Sequence, residues 1–170
     1  MNIREATARD FDLIWPIFHE IVSVGETYAY DPQTDAAAAF DIWMTQPHKT
    51  FVVEAAGDVL GTYYLKSNQP GLGGHVCNCG YMVPAKARGR GLGAAMCVHS
   101  QEAAVALGYQ AMQFNLVVST NIGAIRLWER LGFDFVGRLP GAFRHSRKGL
   151  VDALVMYKWL ACGQGAATVR

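Results

Sequence analysis

The chain has 170 residues, 51% of them hydrophobic and 17% charged, with a formal net charge of +1. These values describe one compact domain with its own core, exclude a disordered chain, and give no electrostatic reason to expect nucleic acid as a partner. No apolar run approaches the ~20 residues that span a bilayer, and the charged N-terminus "MNIREATARDF" lacks the apolar region of a secretory signal, so neither a membrane nor export is expected.

A first strand is predicted over residues 2–6. Thr7 then precedes "ARDFDLIWPIFHEIV", where Phe11, Ile14, Phe18 and Ile21 recur at helical spacing, with Pro16 expected to kink or split the helix. Thr34 and Asp35 open a second helix that should run through Trp43. "TFVVEAAGDVLGTYYLK" reads as a hairpin turning at Gly57-Asp58, and "HVCNCGYMV" (75–83) as a strand with a bulge or kink at Gly80. Leu92, Met96, Ala103 and Leu107 form one face of a helix that Gly108 ends. "AMQFNLVV" is a strand, and Asn121 starts a helix stopped by Gly132. Two last strands, near 133–139 and 151–160, flank a loop "PGAFRHSRKG". One domain over 1–160 and a flexible tail over 161–170 complete the expectation.

The four cysteines, Cys77, Cys79, Cys97 and Cys162, show neither C-x-x-C pairing nor a His cluster at metal spacing. They read as reduced thiols of a cytoplasmic protein without a metal, and Cys77 and Cys79 as small core residues of a strand.

The segment "ARGRGLGAAM" (87–96) carries the chemistry. A strand that runs through glycines into a helix presents free N–H groups at the positive end of the helix dipole. Without Cβ atoms at Gly89, Gly91 and Gly93 a large anion can touch them, and Arg88 and Arg90 add charge. Phosphate or pyrophosphate is the natural ligand. A Walker loop is excluded, because no Lys-Ser or Lys-Thr follows. Gly89, Gly91 and Ala94 fit a dinucleotide fingerprint, yet no Asp or Glu occurs between Ala103 and Trp128 to hold a ribose. The third pattern, R-x-x-G-x-G, is met by Arg88, Gly91 and Gly93.

That pattern, followed by N-x-x-A-x-x-x-W-x-x-x-G-F at 121–133, resembles the GCN5-related N-acetyltransferase family over nearly the whole chain. The resemblance implies a single α/β domain with a mixed, mostly antiparallel sheet, splayed central strands and helices on both faces. It also implies acetyl-CoA as cosubstrate. Arg88, Gly89, Arg90, Gly91, Gly93 and Ala94 would hold its pyrophosphate; Met82, Val83 and Asn121 would meet its pantetheine arm. Asn121 is equally a helix N-cap.

Asn78 and Asn115 each interrupt an apolar strand, at a cost of ~1–3 kcal/mol if unpartnered. The resemblance places both where an acceptor amine arrives, and "HVCN-G", "FNLV" and the following "TN" are similar to the subgroup that acetylates azetidine carboxylate. Glu26 is a candidate base acting through water, or a solvated loop carboxylate, and Tyr28 and Tyr30 are candidate pocket walls. "FRHSRK" (143–148) reads as a basic hairpin tip, with an acceptor carboxylate as its alternative ligand. Many family members carry Tyr where this chain has Trp128, whose indole cannot protonate a leaving thiolate. The expected activity is acetyl transfer to a small amine. Its rivals are acetylation of a protein N-terminus or lysine, and a non-catalytic acyl-CoA-binding module. Whether the chain works alone or as a homodimer stays open.

Overall fold

The computed structural model describes residues 1–160; the expected tail at 161–170, with Cys162, lies outside the described residues. Seven strands form one sheet in the order β1-β2-β3-β4-β5-β7-β6. They are β1 (Asn2–Glu5), β2 (Lys49–Ala55), β3 (Asp58–Ser67), β4 (Val76–Met82), β5 (Ala111–Val118), β6 (Asp134–His145) and β7 (Gly149–Trp159). Every neighbouring pair is antiparallel except β4 and β5. The helices are α1 (Phe11–Val22), α2 (Ala36–Phe40), α3 (Leu92–Ala106) and α4 (Ile122–Arg130).

Period-two alternation sorts the strand residues into two cores. Cys77, Cys79, Phe114 and Met156 face α3 and α4, packing on Met96, Cys97 and Trp128. Val52, Tyr64 and Met82 face α1 and α2, packing on Ile14, Phe18 and Trp43. Both faces of the sheet therefore carry helices, as expected. Among the described residues no helix is long and apolar enough to cross a membrane.

Several local expectations are corrected. Pro16 does not split α1, which runs unbroken over Phe11–Val22. Asp12 and Pro16 are both exposed, so the carbonyl that Pro16 leaves without an N–H can turn to water. The second helix is α-helical only to Phe40 and continues over Asp41–Thr45 as a wider π-type turn. That turn buries Trp43, whose Nε1–H donates to Thr62 Oγ1 at 3.0 Å. Gly80 makes no bulge, because the β3–β4 register passes through it unshifted. Instead, a Cβ there would meet Tyr64 Cε1 at 2.6 Å, so the glycine makes room for a ring on the next strand.

The loop expected over 140–149 is mostly strand, since β6 extends to His145 and only Ser146–Lys148 turn. Phe143 and His145 are buried and hold the hairpin in register. Pro140 is tolerated because β6 is the edge strand and the register shifts between Leu139 and Phe143.

Candidate active site

The site begins where the β4–β5 ladder stops. The two strands pair only at Val76–Ala111 and Cys77–Met112, then diverge. At that point Asn78 Nδ2 donates to the carbonyl of Gln113 at 2.9 Å, while Asn78 Oδ1 accepts from the Tyr64 hydroxyl at 3.1 Å. The side-chain amide thus spans the gap that a backbone hydrogen bond would otherwise close. Beyond it, the β4 edge from Cys79 to Met82 has no strand partner toward β5.

A cavity of about 670 Å³ fills the divergence. On one side it is lined by Tyr28, Tyr30, Tyr64 and Asn78, and on the other by Phe114, Leu127 and Trp128. The Tyr28 and Tyr30 rings stack at 5.5 Å, and Tyr28 donates to the carbonyl of Tyr81 at 2.8 Å. Trp128 packs between Tyr81 (5.1 Å) and Phe114 (5.0 Å). Among the described residues no Asp, Glu or His lines this cavity. Its tyrosine and cysteine walls are held neutral: burial raises the Tyr28, Tyr30, Tyr64 and Tyr81 hydroxyls and pushes the Cys79 thiol well up. Burial also pushes Cys77 up to about 12. A thiol so disfavoured as thiolate is a poor nucleophile, and a covalent route through either cysteine has no support.

The second part of the site is the glycine segment. Gly89 (φ 76°) and Gly91 (φ 74°) lie in the left-handed region, and Gly91 caps α3 there. That backbone leaves the N–H groups of residues 89–94 outside the helix ladder. Among the described residues none of them has an acceptor; the first bond of the helix is from Ala95 to Gly91. A cavity of about 420 Å³ lies against them, bounded by Arg88, Gly91, Gly93, Ala94 and Arg130. Free N–H donors, a helix N-terminus and two guanidinium groups fit a pyrophosphate. Val83 lines both cavities, joining the anion end to the cleft between the strands.

The sequence-derived residues divide accordingly. Arg88, Gly89, Gly93, Val83 and Asn121 line the larger cavity together with Asn78 and Asn115, and Gly91 and Ala94 line the smaller one. Asn121 caps α4, its Oδ1 accepting from the N–H of Ala124 at 3.2 Å. Arg90 turns back to the carbonyl of Lys86 at 3.4 Å and lines neither cavity. Met82 is fully buried against α1 and α2.

Asn115 is exposed; it accepts from Gln113 Nε2 at 2.8 Å and donates to Asn68 Oδ1 at 2.6 Å. Glu26 does not line the cavity. Its sheltered Oε1 meets the Arg147 guanidinium as an ion pair, off the hydrogen-bonding direction. The same loop is tied to the β6–β7 turn by the Ser146 N–H, which donates to the carbonyl of Gly25 at 3.0 Å. Tyr64, Leu127 and Arg130 were not singled out from the sequence. Gly80, needed for the Tyr64 ring, was the available signal for the first; helical spacing from Gly123 toward the glycine segment was the signal for the other two.

A diverging parallel pair that leads from a free helix N-terminus to an apolar cavity defines a domain that holds an acyl-CoA thioester. Residues 11–133 match the acetyltransferase (GNAT) family, and the chain belongs to that family. Over 139 residues it is 34% identical to the N-acetyltransferase aca1 of Schizosaccharomyces pombe, covering 81% of this chain and 61% of that protein. The chain therefore spans less than two thirds of that relative's length. Among solved structures, a GCN5-related N-acetyltransferase from Kribbella flavida is 45% identical, with a TM-score of 0.87 over 93% of this chain and 96% of that one. The phosphinothricin acetyltransferase of Sinorhizobium meliloti, solved in complex with acetyl-CoA, is 25% identical, with a TM-score of 0.80 over 98% of this chain and 91% of that one.

Proposed function

We propose that the chain transfers the acetyl group of acetyl-CoA to the amine of a small molecule, an amino acid or an analogue of the azetidine-carboxylate type. The observation that carries this reading is the cavity beside Asn78: it is walled by four tyrosines and, among the described residues, has no carboxylate in its lining. A peptide acceptor, with its own N-terminal or lysine charge, is better matched by an open acidic groove. A small-molecule acceptor is also what the phosphinothricin acetyltransferase is named for.

Bound acetyl-CoA supplies an electrophilic thioester carbon and a thiolate leaving group. The chain supplies position. The N–H groups of residues 89–94, with Arg88 and Arg130, hold the pyrophosphate; Val83 and Asn121 flank the arm that threads the gap. Unpaired backbone N–H groups on the β4 edge are the donors for the developing oxyanion. Asn78 and Asn115 orient the acceptor, and holding the two reactants together accounts for much of the rate.

Because no carboxylate or imidazole among the described residues lines the cavity, the amine gives up its proton to water before attack. Glu26, paired with Arg147, serves this scheme by fixing the segment that carries Tyr28 and Tyr30. Trp128 packs against the site and gives no proton; a thiol has an ordinary pKa of about 8.5, so its thiolate leaves without that help. The free thiols Cys77, Cys79 and Cys97 suit a reducing compartment such as the cytoplasm.

Thiol release from acetyl-CoA, followed over a panel of amino acids and analogues, is the test. We expect release with one or more small amines and none with buffer alone. Release only with peptides, or binding of acetyl-CoA without release for any amine, would overturn the reading.

A further inference from the structure

Beyond Tyr64, the sheet face that carries Asn78 also presents Lys66, Gln113 and Asn115, none of them fully buried. Tyr64 and Lys66 follow each other at period two on β3, and Lys66 stands opposite Asn78 in the β3–β4 register. Lys66 Nζ lies 5.2 Å from the centroid of the Tyr64 ring, which lines the acceptor cavity. Around it runs a chain of amides. Asn78 donates to the carbonyl of Gln113, Gln113 donates to Asn115, and Asn115 donates to Asn68, at 2.9, 2.8 and 2.6 Å.

The charge in this patch is unbalanced. Residues 62–68, 76–82 and 111–118 contain no Asp or Glu. Among the described residues no carboxylate lies within ion-pairing distance of the Lys66 ammonium. Arg147, at the hairpin tip, is engaged with Glu26, and Arg88 belongs to the glycine segment. A partly buried ammonium above an aromatic face, without a counter-charge and beside amide donors, is built to receive an anion. Each Asn side-chain nitrogen carries two N–H groups, and Asn78 and Asn115 use one apiece within the protein. The second is available to the same anion.

We propose that Lys66 is the counter-ion for the carboxylate of the acceptor, so that this enzyme selects amines bearing a carboxylate close to the nitrogen. The inference rests on the small-amine reading above and names the residue that selects for the acceptor's carboxylate. The carboxylate lies between Lys66, Asn78 and Asn115, which turns the adjacent amine toward the end of the cleft. Nothing is transferred to or from Lys66; it acts by binding.

The test compares matched pairs, each amino acid or azetidine-2-carboxylate against its own carboxamide, in wild-type protein, Lys66→Met and Lys66→Arg. The readout is kcat/KM for each acceptor by thiol release, with a thermal melt of each variant as the control for folding. In the wild type the acid should be preferred. In Lys66→Met the acid-over-amide ratio should fall at least about tenfold, chiefly through acceptor KM, and Lys66→Arg should retain most of it. An equal ratio in wild type and Lys66→Met, with acetylation intact, would overturn the role of Lys66 and leave acetyl transfer standing. A wild type that prefers carboxamides would do the same. Absence of thiol release with every pair would overturn this inference and the small-amine reading together.

Discussion

Asn78 and Asn115 occupy similar places in the sequence and different places in the physics. Asn78 is buried and uses its amide to replace the missing rung between β4 and β5, whereas Asn115 is exposed on a polar chain with Gln113 and Asn68. Alanine at either position should raise acceptor KM roughly ten- to a hundredfold, the cost of ~1–3 kcal/mol for a lost polar contact in a binding site. Only Asn78→Ala should also lower the melting temperature, because it leaves the Gln113 carbonyl and Tyr64 hydroxyl unpaired. Steady-state kinetics with a thermal melt separates the two, and equal melts for both variants would contradict the bridging role. The sequence made both asparagines visible, as amides inside apolar strands. It hid their difference, because which strand edge is left open depends on long-range register. Lys66 was hidden for a similar reason: a lysine near a strand end looks like ordinary surface charge until its neighbours are known to be amides and a tyrosine ring.

Elements differ in how much of them local sequence determines. The glycine segment was legible because its demands are local: positive φ at Gly89 and Gly91, free N–H groups, and a helix that begins at once. The β6–β7 hairpin was not. Pro140 and Gly141 look like a loop, and only cross-strand pairing with Val151 and burial of Phe143 make them part of a bulged edge strand. Its turn then reaches the segment after α1 through Ser146 and Arg147. Arg147 is 77% exposed on its side chain, so the ion pair with Glu26 is worth little in stability, ~1 kcal/mol or less. Its consequence should appear in binding. Arg147→Ala should loosen residues 26–30 and raise acceptor KM several-fold, with melting temperature and acetyl-CoA affinity nearly unchanged. An unaltered acceptor KM would show that the segment is held by its tyrosines alone.

Across the whole molecule, the sheet joins two cores, and the site lies where the joint is deliberately incomplete. Five of the six neighbouring strand pairs are antiparallel ladders, while β4 and β5 part after two residue pairs. The existence of the split followed from a resemblance carried by two motifs, while the strand order came only with the structure, because periodicity says nothing about who pairs with whom. What periodicity did provide was the apolar face of the helices; that α3 and α4 pack on one side of the sheet and α1 and α2 on the other is seen in the two cores. The central claim is that this opening, entered from the glycine segment, takes acetyl-CoA. Titration calorimetry of acetyl-CoA against wild-type protein and Gly91→Val tests it most directly. Gly91 sits at φ 74° with open space around it, so a valine there strains the left-handed cap and covers the N–H groups without displacing any core residue. The account predicts binding by the wild type and a loss of at least ~2 kcal/mol in a folded Gly91→Val protein, the scale of several charge-assisted hydrogen bonds. Equal affinity of the two folded proteins would contradict it.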